Sequence, residues 1–268
     1  MMLWTDELSE VPAALGSLTG GVYSGGGRQE NGDLGQDKYD ALQREIVETE
    51  EELRRLEQEA QNATSALSKI DEAGKKLEQV GDKVFLQTVY NFAGAGEQVG
   101  FDVFRFDTDG RIAEHWDNLA AKAEPNPSGH TQIDGTLEKK DADKEETRKV
   151  VAGFVGDVLR GENPDRLTSY YDGDKYIQHN TAIADGLSGL GAALAAMAEQ
   201  GITMVYNKTH MVLADGDYGL ACSEGSFGGV PTTYYDLFRV EKGFIAEHWD
   251  VMETLADKDT WQNQNGKF

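Results

Sequence analysis

A single cysteine, Cys222, excludes an intrachain disulfide framework, and no CxxC or Cys/His spacing offers structural zinc a site. Basic residues are few: 25 Lys and Arg against 48 Asp and Glu give a formal charge of -23. A surface of that sign repels polyanions, which argues against nucleic acid and anionic membranes as partners. The first residues carry Asp6, Glu7 and Glu10 but neither a basic stretch nor a long apolar run, so neither signal peptide nor anchor is expected. A reducing cytoplasm is the simplest setting. Gly228-Gly229-Val230-Pro231 lacks the following helix that a phosphate cradle needs, and Ser188 and Ser226 sit in no nucleophile elbow.

What the chain does have is a repeat. Ala113-Glu114-His115-Trp116-Asp117 recurs as Ala246-Glu247-His248-Trp249-Asp250. Phe101-Asp102-Val103-Phe104-Arg105 precedes the first copy as Tyr235-Asp236-Leu237-Phe238-Arg239 precedes the second, and Gly81-Asp82 matches Gly216-Asp217. One supersecondary unit is used twice.

Four segments follow along the chain. Residues 1–36, punctuated by glycine, read as a flexible leader without a motif. Residues 37–80 read as a coiled-coil or helical-hairpin segment. Tyr39, Ile46, Leu53, Ala60 and Leu67 recur every seven residues, with Leu42, Thr49, Leu56, Ala63 and Ile70 three later. Residues 81–135 alternate as strands, with Phe101–Phe106 and Arg111–Trp116 forming a hairpin, and end in a linker around Pro125 and Pro127. Residues 136–268 are complete: a helix from Asp143 to Arg160, short elements, a small-residue helix from Leu187 to Gln200, then four strands from Thr203 onward. Helices followed by a long antiparallel meander predict an α+β domain whose one curved sheet wraps the helices.

Within residues 140–268, the runs Tyr176-Ile177-Gln178-His179-Asn180, Ile183-Ala184-Asp185-Gly186-Leu187, Tyr235-Asp236-Leu237-Phe238-Arg239 and Glu247-His248-Trp249-Asp250, with the ending Asn265-Gly266-Lys267-Phe268, resemble the SnoaL-like polyketide cyclase group. The resemblance implies a conical, nuclear transport factor 2-like α+β fold. Residues 81–135 match only its last strands, so a partial copy of the sheet precedes the complete one, without the helices and first strand. Conical domains of this group commonly pair through their sheets, which implies a homodimer or an internal pseudo-dimer. Lys38–Glu50 and Ala73–Leu77 resemble helical stretches of phage tail tape-measure proteins, which implies a helical spacer and no chemistry.

Directly opposed residues of an antiparallel pair share a face, so loop length decides which side chains meet. An odd loop at Glu241-Lys242-Gly243 puts Asp236 with His248 and Asp250, with Tyr234 beside them; a two-residue turn separates them. The first loop is one residue longer, and an even loop there groups Asp102, His115 and Asp117. Phe244, Ala246 and Met252 are expected on the same face, forming a partly apolar wall. A carboxylate in such a wall is raised by desolvation and can take a proton next to a carbonyl near neutral pH, while a His or Tyr donor stabilises the enolate. That chemistry needs no cofactor. His179, His210 and His248 show no short ligand spacing with Asp236 or Asp250, so no metal is expected.

By the resemblance, Asp250 is the general base of an intramolecular aldol ring closure, with His248 and Asp236 supporting it. Tyr234, His179, Asn180 and Trp249 are the substrate-binding candidates, His179 and Asn180 closing the pocket from the far side. Beside these stand blander readings: Trp249 as packing, Arg239 with Glu247 as a weak surface pair, and Cys222 as a small buried apolar group. The expected function is an aldol cyclase or isomerase acting on a small carbonyl compound. Its rivals are a non-catalytic ligand-binding or dimerisation module and a structural coiled-coil assembly protein.

Overall fold

Alternating apolar residues in Lys83–Phe92, Gly96–Phe106 and Ile112–Ala121 give strands β1, β2 and β3, an antiparallel meander in the order β1-β2-β3. The computed structural model describes residues 82–92, 94, 96–136 and 138–268, together with residues 44, 46–49, 51 and 53–55, which are helical. The leader at 1–36 and most of the heptad segment at 37–80 lie outside the described residues. In the helical stretch Ile46, Val47 and Leu53 are exposed.

Helix α1 (Lys144–Phe154) opens on Asp143, whose carboxylate accepts the Glu145 amide, with Glu145 and Glu146 in the first turn complementing the helix dipole. A π turn, Val155–Leu159, carries the helix to Gly161 at φ 75°. A 3-10 turn (Pro164–Tyr170) and the short strand β4 (Ile177–Gln178) come next. Helix α2 (Gly186–Glu199) and four long strands follow: β5 (Met204–Asp215), β6 (Tyr218–Phe227), β7 (Val230–Glu241) and β8 (Phe244–Thr254). The second sheet runs β4-β8-β7-β6-β5, with β4 parallel to β8 and the rest antiparallel. This is an α+β fold with a curved antiparallel sheet. Its inner face is packed by Val151, Phe154 and Val155 of α1 and its π turn, with Tyr170, Tyr171 and Tyr176. Gly219 lets α1 approach, because a Cβ there would stand 2.7 Å from Val151.

The repeat is structural as well as sequential. Leu86, Asp102 and Asp117 align across the first sheet as Ala221, Asp236 and Asp250 align across the second. Both final hairpins are bulged at the same place. Arg105 pairs with Glu114 and Phe106 with Ile112, leaving Ala113 extra; Arg239 pairs with Glu247 and Val240 with Ile245, leaving Ala246 extra.

These bulges correct the expected loop parity. Glu241 pairs with Phe244 across a two-residue turn, Lys242-Gly243, whose φ values of 53° and 82° suit a twisted hairpin. Such a turn alone would set Asp236 opposite Trp249. The bulge at Ala246 advances β8 by one residue and brings Asp250 across from Asp236. It also takes Ala246 out of the expected wall, and Phe244 at the hairpin tip is exposed. The apolar side of the inner face comes from Ala221, Phe238, Val240 and Ile245 instead.

The two sheets pack through equivalent faces within one compact unit. Val99, Phe101 and Val103 of β2 meet Leu220 and Cys222 of β6, Tyr235 and Leu237 of β7, and Trp249 and Val251 of β8. Phe101 and Val103 occupy the positions of Tyr235 and Leu237 in the other copy, so each copy offers the other the same surface. Complete burial of each large apolar side chain contributes about 1.5–3 kcal/mol. Asn118 pins the contact: its amide donates to the carbonyls of Thr233 and Val251 at 3.1 and 3.0 Å and its oxygen accepts from the Thr233 hydroxyl at 2.7 Å.

The expected linker is docked rather than free. Asn126 is buried and donates to the carbonyls of Gln178 and Ile183, the Trp249 indole donates to the Asp134 carbonyl, and the Lys140 amide donates to Asp217. No described helix is long and apolar enough to cross a membrane.

Candidate functional site

Position along β7 and β8 decides which residues reach the inner face. Tyr234, Asp236 and Phe238 alternate inward on β7, and their opposed partners Met252, Asp250 and His248 do so on β8. Because β4 runs parallel to β8 with Gln178 beside His248, Gln178 and Asn180 join this face from the far side.

The hydrogen bonds follow from that placement. Asn180 donates its amide to both oxygens of Asp250, at 3.0 and 2.7 Å. His248 lies 3.2 Å from Asp236 through Nε2 and 3.0 Å from the Gln178 amide oxygen through Nδ1. Gln178 in turn donates to the Tyr176 hydroxyl at 3.1 Å. Tyr206, from β5, donates to Asp236 with its hydroxyl 3.3 Å from each carboxylate oxygen. Phe238 stacks on His248 at 4.7 Å, and Tyr234 stacks on Tyr206 at 4.1 Å. The Tyr234 hydroxyl donates to the Ser226 carbonyl, so this residue forms wall rather than donor.

Desolvation pushes the Asp250 carboxyl above its ordinary value; His248 and the Asn180 amide pull it down, and the opposed Asp236 pushes it further up. Burial also raises Tyr206 and Tyr176 well above the usual phenol range, with nearby Asp236 and Asp250 adding to it. These hydroxyls therefore stay protonated donors at neutral pH. A reluctant carboxylate beside neutral donors is the equipment for moving a proton between carbon and oxygen. Tyr206 has no local motif and is brought here by strand pairing alone, while Tyr176 and Gln178 lie in the run Tyr176-Ile177-Gln178-His179-Asn180, from which only His179 and Asn180 are expected at the site.

His179 and Trp249 go elsewhere. One residue on from Gln178, His179 points to the outer face, where its ring stacks on Trp249 at 4.6 Å and its Nε2 lies 2.9 Å from Glu247. The expectation that His179 closes the inner pocket does not fit this position, and Trp249 packs with it between the sheets. Nor are Arg239 and Glu247 a surface pair: both are buried, joined at 2.8 Å, and the Thr136 amide donates to Glu247 as well. Burial alone would raise Glu247, but hydrogen bonds from His179, Arg239 and Thr136 hold it down at about 2. Burial opposes charge on His179 too, yet its bonds to Glu247 and the Thr131 carbonyl outweigh this and raise it. Cys222 is buried between the sheets, and desolvation raises its thiol.

The first copy repeats the inner constellation in reduced form. Asp102 lies 2.9 Å from His115 and accepts from Thr88 and Tyr90 at 2.7 and 2.9 Å, with Asp117 opposite. His115 is far more exposed than His248, since among the described residues this copy has no counterparts of β4 and β5. A cleft of about 300 Å³ lies away from both groups, between α1 with its π turn and β5, lined by Val155, Arg160, His210 and Val212 among others.

Comparison with family models finds no match, and comparison with curated proteins finds none either. Among solved structures, an NTF2-like protein from Burkholderia xenovorans is similar at 18% identity and a TM-score of 0.33, covering 42% of this chain and 92% of that one. A SnoaL-like polyketide cyclase from Agrobacterium tumefaciens is similar at 13% identity and 0.32, covering 40% and 91%. An LEH-like epoxide hydrolase from M. tuberculosis gives 22% identity and 0.32, covering 41% and 85%. Over about two fifths of its length, the chain is thus similar in structure to SnoaL-like and NTF2-like proteins.

Proposed function

We propose that the C-terminal half is a cofactor-independent enzyme of the isomerase or aldol cyclase type, acting on a small carbonyl compound. The observation that carries this reading is the placement of Asp250: on the inner face, raised by desolvation, directly opposite Asp236 and hydrogen-bonded to the Asn180 amide. Asp250 takes the proton from the carbon next to the substrate carbonyl. Tyr206 and His248, both tied to Asp236, and the Asn180 amide are the donors available to the enolate oxygen as negative charge moves onto it. Return of the proton to another carbon gives isomerisation, and attack of the enolate carbon on a second carbonyl gives ring closure.

The test is proton exchange. The full chain is incubated in heavy water with a panel of cyclic ketones and β-dicarbonyl compounds, and loss of the α-proton signal is followed by NMR. Exchange above the rate of the Asp250→Asn variant supports the proposal; equal rates across the panel count against it.

A second reading has its own support. Asp236 and Asp250 already carry internal partners in Tyr206, His248 and Asn180, as expected of a face that binds a ligand without reacting. Saturable binding of panel compounds with no exchange favours that binding module.

A further inference from the structure

His179 is buried and fully enclosed on one edge, and it plays no part in the chemistry proposed above. Its Nε2 faces Glu247 at 2.9 Å, and the other oxygen of Glu247 is held by Arg239 at 2.8 Å. Its ring is fixed by the stack on Trp249. Gly135 closes over the His179–Glu247 pair at φ 108°, where a Cβ would stand 2.4 Å from the carboxylate and 2.6 Å from the imidazole. The opposite ring nitrogen, Nδ1, points outward to the docked segment between the two copies. There Asp134 Oδ1 stands 2.9 Å away and the Thr131 carbonyl 2.8 Å away. A ring nitrogen of His130, a carboxylate oxygen of Asp134 and a nitrogen of His179 all lie within 4.8 Å of one another.

We propose that His179, Asp134 and His130 form a binding site for a zinc-type divalent transition-metal ion, one that clamps the segment between the copies onto β4 and β8. Two imidazoles and a carboxylate suit such ions in ligand type and charge, the ion taking the place of the proton that Nδ1 directs at Asp134 and the Thr131 carbonyl, which is released to solvent. Donors bound at about 2.0–2.2 Å stand roughly 3 Å from each other, which the Nδ1-to-Oδ1 separation of 2.9 Å already meets. His130 is partly exposed and closes the set by side-chain rotation, leaving its contact with Asp185. The support behind the ligands points the same way. A metal-bound imidazole ordinarily gives its other N–H to a carboxylate that is itself hydrogen-bonded, and the His179–Glu247–Arg239 chain is built so. Asp134, Glu247 and Asp185 leave the surroundings anionic, with Arg239 the fixed cation facing the group. In sequence the ligands read as His130-x-x-x-Asp134 and a distant His179, a spacing that carries little signal without the fold.

The experiment is a titration of the chelator-stripped full chain with Co2+, followed by visible absorption and thermal melting, and then displacement with Zn2+. The expected result is one equivalent of Co2+ giving a saturable band, a higher melting temperature, and loss of the band on adding Zn2+. His130→Ala and Asp134→Asn change partly exposed side chains and leave the buried His179–Glu247 pair in place, so both variants test ligation rather than folding. Each should weaken Co2+ binding at least about tenfold, the lower bound for losing even a supporting group. Absence of a saturable band in the unaltered chain would overturn the site. So would a band that both variants retain at full affinity, which would put the ion elsewhere, as at Asp102, His115 and Asp117 in the first copy.

Discussion

Asp250 faces Asp236 directly across the ladder of β7 and β8, on the face that α1 covers. Two carboxylates so placed, with desolvation raising Asp250, give the inner face its electrostatic character. Asp250→Asn should reduce any proton-transfer activity by at least about 100-fold, the usual worth of a positioned general base. It should also change the pH dependence of stability. A carboxyl whose folded pKa is raised destabilises the fold where it is ionised, and that penalty disappears as pH falls through the folded value toward the ordinary one near 3.9. The variant should therefore be more stable than the parent at neutral pH, with the gap closing in acid. Urea melts at a series of pH values measure this, and a gap that widens in acid would contradict it.

Glu247 carries the opposite sign. Held at about 2 against an ordinary 4.5, it adds stability that is present above about 4.5 and lost as pH falls toward 2. The difference corresponds to about 3 kcal/mol, and replacing one member of a buried, hydrogen-bonded pair has a cost of that order. Glu247→Gln is expected to lose roughly this amount at pH 7 and to show a flatter stability profile below pH 4.5, as read by chemical denaturation.

Asn118 makes three hydrogen bonds across the contact between the copies while completely buried. Asn118→Ala leaves the Thr233 hydroxyl without that acceptor and two carbonyls short of a donor, at about 1–3 kcal/mol. The loss should appear in global denaturation and as faster proteolysis within residues 82–121. Unchanged cleavage there would mean that the copies hold together without this residue.

Trimming the chain to residues 122–268 would uncover Leu220, Tyr235, Leu237 and Val251 on the outer face of the second sheet. A contiguous apolar face of this kind drives association. The trimmed chain should run as a dimer or larger species by light scattering, where a stable monomer would show that the first copy is not needed to cover the face.

Much of this architecture was legible because it is written in local alternation. The four strands expected from Thr203 onward are β5 to β8, and the repeated five-residue run marks equivalent positions on equivalent strands. The opposed carboxylates were legible only in part. Asp236 and Asp250 do share a face, but through a two-residue turn with a bulge at Ala246, not through an odd loop. Nothing in the run Phe244-Ile245-Ala246-Glu247 announces the extra residue, since each could sit in a regular strand. The side taken by His179 was hidden for another reason. It depends on β4 pairing in parallel with a strand some seventy residues later, and a shift of one position exchanges His179 with Asn180. Arg239 and Glu247 look like surface charges in the sequence, and it is the segment around Asp134 to Thr136, docked over them, that takes them out of solvent.

The paired bulges separate the length of a hairpin from the order of its side chains. The first hairpin tip is one residue longer than the second, yet the rungs from Arg105–Glu114 and Arg239–Glu247 onward keep equivalent partners. Variation at the tip is absorbed there and does not travel down the ladder. The Lys242-Gly243 tip is accordingly a place where this chain can accept inserted residues, lengthening its rim while the carboxylates below hold their positions.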